Sequence, residues 1–254
     1  MFPTFNLSDY IMHHIVNSHE WHIPFFGAVG LGGFLTMHAL MMFIGTALVL
    51  ILFLVLYRKD ERVPAGLTNC LEMFVVFIRD EVAIPSLGEK DGLLFTPMLC
   101  TLFFFILVLN LLGLIPLFEP ATANINVTGP LAYLILVLMV VGTLVRNGPK
   151  GIWHAMIPST LPKLLIPFFL VTEVVSILVR TVALAIRLFA NMIAGHMVIL
   201  SFLGLVVLFG WWAMLAPVVA VFFYCLDIFV AFLQAYIFIL LSAVFIGQMY
   251  HPEH

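Results

Sequence analysis

The fold of this chain is decided by residues 164–203, which read LLIPFFLVTEVVSILVRTVALAIRLFANMIAGHMVILSFL. About 20 apolar residues are enough for a helix to cross a hydrocarbon core roughly 30 Å thick. This run is about twice that long, and a second apolar run at 214–248 is also too long for a perpendicular crossing. Each run therefore holds either two short helices or one long, strongly tilted helix. Strong breaks occur only around Gly204, Gly210 and Pro217, which favours a tilted helical hairpin.

Composition places the whole chain in a membrane. Of its 254 residues, 64% are hydrophobic and 9% are charged, whereas soluble domains are roughly 45–50% apolar and about 25% charged. So few charges cannot cover a soluble globule, and the ten Lys and Arg residues offer no basic surface for nucleic acid. The widely spaced cysteines, Cys70, Cys100 and Cys225, are interpreted as small apolar residues rather than as a redox site.

The pattern of apolar runs predicts an all-α, polytopic membrane protein with about five crossings. A mixed outer segment at 1–35 precedes a single membrane domain at 36–254. The predicted crossings are 36–57, 93–117, 131–145, 164–203 and 214–248. Between the first two crossings, residues 67–82 alternate charged and apolar side chains, which is typical of a helix that lies at the membrane interface.

The distribution of basic residues predicts the orientation. If the N-terminus lies outside, the outer segments 1–35, 118–130 and 204–213 contain no Lys or Arg. The inner loops then contain eight such residues, namely Arg58, Lys59, Arg62, Arg79, Lys90, Arg146, Lys150 and Lys163. Because cytoplasmic loops are enriched in Lys and Arg, we expect the N-terminus outside and the C-terminus inside. A bacterial inner membrane, with the N-terminus in the periplasm and the C-terminus in the cytoplasm, fits this pattern best.

Four formally charged residues remain inside apolar runs, namely Glu173, Arg180, Arg187 and Asp227. A charge at the bilayer centre costs about 2.5–3.5 kcal/mol on insertion scales, so such residues usually face protein or water and mark an ion pathway. Glu173 and Arg180 lie nearer the inner end, where snorkelling or a structural ion pair is an alternative explanation. Arg187 lies too deep for that explanation to suit it well.

Helical geometry groups the polar residues into two lines. At about 100° per residue, one stripe roughly 60° wide on the first long helix contains Glu173, Ser176, Arg180, Arg187 and Asn191. His196 lies on the opposite side of that helix. On the last helix, Asp227 and Gln234 are seven residues apart and share one face. The first line runs inward from mid-membrane, and the second involves His196 and Asp227.

Two motifs connect these residues to a known family. The segment RLFANMIAGH (187–196), followed by D-x6-QAYIF from Asp227, resembles subunit a of the F-type ATP synthase. The stretches NLLGLIP from Asn110 and ANINVTGPLA from Ala123 extend the resemblance over most of the chain. The resemblance implies that the tilted hairpin packs against a rotating ring of c subunits in the lipid bilayer. It also implies that peripheral-stalk b subunits and the rest of the ATP synthase complex are partners.

The resemblance further implies roles for individual residues. Arg187 matches the essential stator arginine that faces the carboxylates of the ring. Gln234 matches a glutamine that neighbours this arginine in space, and Asn191 matches a polar position one turn further on. A guanidinium stays protonated and cannot relay a proton, and it favours ionisation of a carboxyl group within about 4–6 Å. Arg187 is therefore expected to release protons from the ring and to separate two offset half-channels.

The remaining matches assign the walls of the half-channels. His196 and Asp227 match a histidine–acid pair of the outer pathway, although Glu is more usual than Asp at the second position. Glu173 matches an acidic residue that lines the exit pathway, and Ser176 lies on the same stripe of the helix. Both half-channels would deliver protons to, or take them from, the carboxylates of the c ring.

Other functions remain open on the sequence alone. A self-contained, proton-coupled secondary transporter could use a buried arginine as a counter-ion, but such proteins usually contain internal repeats, and none is recognisable here. A purely structural scaffold leaves the burial of Arg187 unexplained. No P-loop or catalytic triad is present, so we expect no catalytic site, cofactor or metal in this chain. Four histidines of the outer segment are interpreted as surface residues: His13, His14, His19 and His22.

The orientation can be tested by cysteine labelling. Cysteines introduced at Ser8 and Thr122 are expected to react with an impermeant thiol reagent only from outside, and one at Lys150 only from inside, because basic loops stay in the cytoplasm. Labelling of intact and inverted vesicles measures this accessibility. Reaction of position 8 from the inside would contradict the five-crossing topology.

Overall fold

The computed structural model describes residues 20–23, 27–30, 36–56, 66–115, 118, 120–156, 162, 164–209 and 216–250. Five helices within these ranges are long and apolar enough to cross a membrane: Met37–Leu54, Glu89–Leu114, Ile125–Gly148, Ile166–Ile199 and Pro217–Tyr250. The prediction of an all-α, polytopic membrane protein with five crossings is thereby confirmed. The side chains of the four N-terminal histidines are not among those that the structure describes, so their surface location stays a prediction.

Seven α-helices, α1 to α7, follow one another in the described part of the chain. Helix α1 (Met37–Ile51) continues as a π-helical turn at Leu52–Leu56. The segment predicted to lie at the interface consists of α2 (Leu67–Phe77), a π-helical turn (Ile78–Ala83) and α3 (Ile84–Leu87). It is not among the five candidate spans. The remaining helices are α4 (Glu89–Leu114), α5 (Ile125–Met156), α6 (Ile166–Phe209) and α7 (Ala216–Tyr250).

Each of the two long apolar runs folds into one continuous helix rather than two short ones. Helix α6 contains 44 residues and α7 contains 35, so at 1.5 Å per residue they are about 66 Å and about 52 Å long. Their only prolines, Pro167 and Pro217, occupy the first turn, where proline is tolerated. Nothing in either interior breaks the helical hydrogen bonds, which is why both helices exceed the hydrocarbon thickness.

Helix α5 extends well beyond the predicted crossing at 131–145 and is bent at Gly148. That residue has φ +69° and ψ −179°, which is not helical. Glycine adopts a positive φ without strain, and the following Pro149 disfavours a helical conformation at the residue before it. The dipeptide therefore separates the membrane-spanning part of α5 from its last turns.

A short antiparallel β-hairpin lies in the N-terminal segment, where no strand was predicted. Strand β1 (Glu20–Ile23) pairs with β2 (Gly27–Gly30), and Trp21 is opposite Val29. Aromatic and β-branched residues favour strands. The two strands are only four residues each, so the chain remains helical in class.

One compact unit of the chain contains residues 1–49, 105–127 and 187–234. Its buried apolar cluster is formed by Met37, Met41, Leu109 and Ala121. Helices α6 and α7 run antiparallel in this unit, because Gly195 contacts Asp227 whereas Phe202, further along α6, stacks on the earlier Phe223 with ring centroids 5.5 Å apart. The hairpin predicted for the two long helices therefore holds within this unit.

Thr122 is fully buried, which corrects its use as an outside probe. It lies in a 3-10 turn at Ala121–Ala123, and its hydroxyl donates a hydrogen bond to Asn110. The turn packs into the apolar cluster instead of facing water, so a cysteine at position 122 would be shielded. Asn126, in the same predicted outer segment, is exposed and is the appropriate labelling position.

The second compact unit contains residues 50–104, 128–186 and 235–254. Polar contacts in this unit hold the C-terminal end of α7 against α5. Arg146 of α5 forms an ion pair with Asp91 of α4 and lies 5.5 Å from the centre of the Tyr250 ring. The Asn147 Nδ2 donates a hydrogen bond of 3.2 Å to the Tyr250 carbonyl oxygen. An amide donor at the C-terminal end of a helix satisfies one of its last carbonyl groups, and a nearby cation is favourable for the helix dipole.

Close packing at Gly247 can be tested by substitution. A Cβ atom at position 247 would collide with the backbone carbonyl oxygen of Ser86. Because a backbone atom cannot rotate away, we expect Gly247→Ala to lower the free energy of unfolding by about 1–3 kcal/mol. Thermal denaturation of the detergent-solubilised protein measures the change.

Gly129→Ala is the matched control for this substitution. No atom lies within 4 Å of a Cβ placed at Gly129 of α5, and alanine is favoured over glycine in helices by up to about 1 kcal/mol. The control is therefore expected to retain or slightly increase stability. An equal loss at both positions would contradict the contact with Ser86.

Candidate functional site

Arg187 lies at the midpoint of α6, and its side chain is exposed. It forms no hydrogen bond or ion pair with any residue that the structure describes. The neighbouring Leu188 is fully buried, so the guanidinium points away from the packed side of the helix. Ala183 and Ala190, also exposed, flank it, and their small side chains leave room for another molecule to approach the helix closely. A cation in this position must face water or another protein rather than lipid.

Asp227 of α7 lies directly against α6. A Cβ atom at Gly195 would be 2.9 Å from Asp227 Oδ2 and 3.0 Å from both Cγ and Oδ1. Only a residue without a side chain therefore lets the carboxylate approach this closely. Asp227 Oδ2 is buried and has no hydrogen-bond partner among the described residues. The adjacent His196 is buried as well.

A small cavity of about 10 Å³ brings several polar residues together. Its walls are formed by Asn110, Leu114, Asn191, Met192, Gly195, His196, Asp227 and Ala231. Three residues singled out from the sequence, Asn191, His196 and Asp227, thus share one site although they come from two helices. A cavity of this size has room for about one water molecule.

Asn110 of α4 was missed as a site residue and contributed only to the family resemblance. Its side chain is 2% exposed. Its Oδ1 accepts a hydrogen bond of 2.9 Å from the Thr122 hydroxyl, and its Nδ2 has no partner among the described residues. The available signal was an amide within the apolar run 93–117, because burying an amide without partners is costly.

Gln234 of α7 is 4% exposed, and its Nε2 has no hydrogen-bond partner among the described residues. The family resemblance implies that it neighbours Arg187. In the described part of the chain no hydrogen bond joins the two side chains; the arginine is exposed and the glutamine is buried. Gln234 contributes a buried amide to the packed side of α7.

The N-terminal part of the polar stripe on α6 lies in the second compact unit. Glu173, Ser176 and Arg180 are all half-buried. Arg180 donates a hydrogen bond of 2.8 Å to Gln248 Oε1, and its guanidinium lies 5.6 Å from the centre of the Phe245 ring. Within the described residues Arg180 thus pairs with α7, and no ion pair joins it to Glu173.

No cluster of three or more His, Cys, Asp or Glu residues that could hold a metal occurs among the residues placed by the structure. The polar groups of the site are carboxylate, imidazole, amide and guanidinium. These groups can bind and release protons, and the guanidinium can block their passage.

Comparison with known proteins identifies the family. The family model for the ATP synthase A chain matches residues 39–247. ATP synthase subunit a of Anaeromyxobacter dehalogenans (strain 2CP-C) is 43% identical over 217 residues, which cover 84% of this chain and 57% of that protein. ATP synthase subunit a of Chloroherpeton thalassium is 41% identical over 260 residues, or 96% of this chain and 77% of that protein. The subunit of Myxococcus xanthus is 38% identical over 230 residues, or 87% and 76%.

The matched region thus spans little more than half the length of the Anaeromyxobacter relative and most of the other two. The family model covers three of the five candidate spans completely and most of the first and the last. The matched residues therefore also include Arg187, the residues that line the cavity and the polar stripe on α6. The chain belongs to the ATP synthase A chain family.

Proposed function

We propose that this chain is the proton-conducting stator subunit of a rotary F-type ATP synthase. The observation that carries the proposal is the exposed guanidinium of Arg187, which lies at the midpoint of a 44-residue apolar helix and has no partner among the described residues. Lipid cannot solvate this charge cheaply. A partner that presents a carboxylate at the same depth would solvate it, and a ring of c subunits supplies such carboxylates in turn.

Arg187 performs two tasks in this mechanism. A protonated ring carboxyl is neutral and can rotate through lipid, whereas a carboxylate cannot do so cheaply. Opposite Arg187 the carboxyl loses its proton, because a nearby cation favours the ionised form. The guanidinium also keeps its own proton at all relevant pH values, so protons cannot pass directly from one half-channel to the other.

The two half-channels use different residues. On the outer side, Asn191, His196 and Asp227 line one cavity, and imidazole and carboxylate groups can exchange protons near neutral pH. Gln234 provides a neutral amide nearer the arginine. On the inner side, the half-buried Glu173 and Ser176 carry protons away. A membrane potential contributes about 2.3 kcal/mol per charge per 100 mV, which drives rotation in one direction.

The proposal includes the surroundings of the subunit. The c ring faces the Arg187 side of α6, and b subunits of the peripheral stalk hold the stator in place. The membrane is a bacterial inner membrane, with the outer segment 1–35 in the periplasm and the C-terminus of the membrane domain 36–254 in the cytoplasm. ATP chemistry takes place on other subunits of the complex.

The first test substitutes Arg187. Arg187→Lys keeps a positive charge, but an ammonium is a compact group that burial can deprotonate. We expect both Arg187→Lys and Arg187→Ala to abolish coupled ATP synthesis, and Arg187→Ala to add a passive proton leak. Proton flux and ATP synthesis are measured in vesicles that contain the fully assembled complex.

Arg79→Lys and Arg79→Ala are the matched controls, because Arg79 is exposed, pairs with Asp80 and lies outside the five spans. They are expected to support normal synthesis. Normal coupled synthesis by Arg187→Ala would contradict the mechanism. Proton transport by the purified chain without any ring would favour the alternative, a self-contained secondary transporter.

The second test concerns the outer half-channel. Asp227→Asn keeps the shape of the side chain but removes the titratable group, so we expect proton flux to fall by about a hundredfold, the lower range for a lost acid–base group. The control is Asp80→Asn, the same change at an exposed position outside the spans. Unchanged synthesis and ATP-driven pumping in assembled Asp227→Asn complex would remove Asp227 from the pathway.

A further inference from the structure

A buried donor and a buried acceptor line the same cavity, and neither has a hydrogen-bond partner in the described part of the chain. Asn110 Nδ2 and Asp227 Oδ2 have no hydrogen-bond partner among the described residues. Both residues form walls of the cavity of about 10 Å³ between α4, α6 and α7. Buried polar groups are nearly always hydrogen-bonded in folded proteins. Two such groups around one small cavity therefore indicate a common partner.

Thr122 determines which end of the Asn110 amide faces the cavity. The Thr122 hydroxyl donates to Asn110 Oδ1 over 2.9 Å, and both side chains are buried. An amide oxygen that is engaged in this way leaves the NH₂ group for the other side of the residue. The orientation of the Asn110 amide is thus set by a residue of the 3-10 turn and not by α4 alone.

The common partner must accept one hydrogen bond and donate another. Asn110 Nδ2 can only donate, and an ionised Asp227 can only accept. A cation could not accept from the amide, and an anion would be repelled by the carboxylate. Water meets both requirements, and the volume of the cavity suits one water molecule.

We propose that a bound water molecule bridges Asn110 Nδ2 and Asp227 Oδ2, and that Asn110 and Thr122 are positioning residues of the outer pathway. The amide donates to the water oxygen, and the water donates to the carboxylate. The water replaces part of the solvation that Asp227 loses inside the span, so the ionised carboxylate can form there. This inference rests on the proposed function, in which Asp227 exchanges protons.

Two substitutions at Thr122 separate hydrogen bonding from packing. Thr122→Val keeps the shape but removes the hydroxyl, whereas Thr122→Ser keeps the hydroxyl but removes the methyl group. If the hydroxyl orients Asn110, passive proton flux through assembled complexes falls about tenfold in Thr122→Val, as expected when a buried group loses its partner. Thr122→Ser then conducts faster than Thr122→Val. The reverse order would indicate a packing role and overturn the proposal.

A high-resolution density map of the assembled complex tests the water directly. Density for one water within hydrogen-bond distance of Asn110 Nδ2 and Asp227 is expected in the unsubstituted complex and not in Asn110→Leu, whose flux is also expected to fall about tenfold. A direct Asn110–Asp227 hydrogen bond, or an unchanged water in Asn110→Leu, would overturn the inference.

These outcomes are separable from a failure of the proposed function. If Asp227→Asn blocks flux while Thr122→Val and Asn110→Leu conduct normally, the water bridge is wrong and the outer pathway stands. If Asp227→Asn itself conducts normally, the outer pathway fails, and the positioning role fails with it.

Discussion

The cost of an exposed charge at the centre of an apolar helix governs the structure of this protein. Arg187 lies at the midpoint of α6, has no ion-pair partner in the described part of the chain and is flanked by small exposed residues. A guanidinium at that depth is tolerated only if water or a partner solvates it. The side of α6 that carries Arg187 therefore cannot be an ordinary lipid-facing surface. Packed residues of the same helix, such as Met192 and His196, line the cavity.

Close backbone approach makes that cavity possible. Because Gly195 has no side chain, the carboxylate of Asp227 can contact α6. A Cβ at Gly113 would likewise collide with Met192 and with Pro120. Glycine at such positions lets helices pack at short distance without a hydrophobic driving force between them. Because the helices are close together, the short side chains of Asn110 and Asp227 both reach the cavity. They could not do so if the helices were further apart.

Features that depend on the thickness of the membrane could be predicted from the sequence, whereas contacts that depend on tertiary packing could not. Hydrocarbon thickness sets the length of an apolar run, so five crossings and the depth of Arg187 could be read from residue order alone. The proximity of His196 and Asp227 came only through the family resemblance, because no spacing rule joins residues on two different helices. The Asn110–Thr122 hydrogen bond and the burial of Thr122 depend on how a 3-10 turn packs against α4, and periodicity carries no information about that contact.

Some polar groups of the two compact units differ in how they are paired. In the unit that contains 50–104, Arg146 pairs with Asp91 and Arg180 with Gln248. In the unit that contains 187–234, Asp227 and Gln234 keep atoms without a described partner. A permanent ion pair holds a group in one protonation state, because the partner stabilises the charged form. In the proposed mechanism Asp227 exchanges protons, so a permanent ion-pair partner would hinder it. The proposed water would instead solvate the carboxylate and could reorient, within a cavity of about 10 Å³.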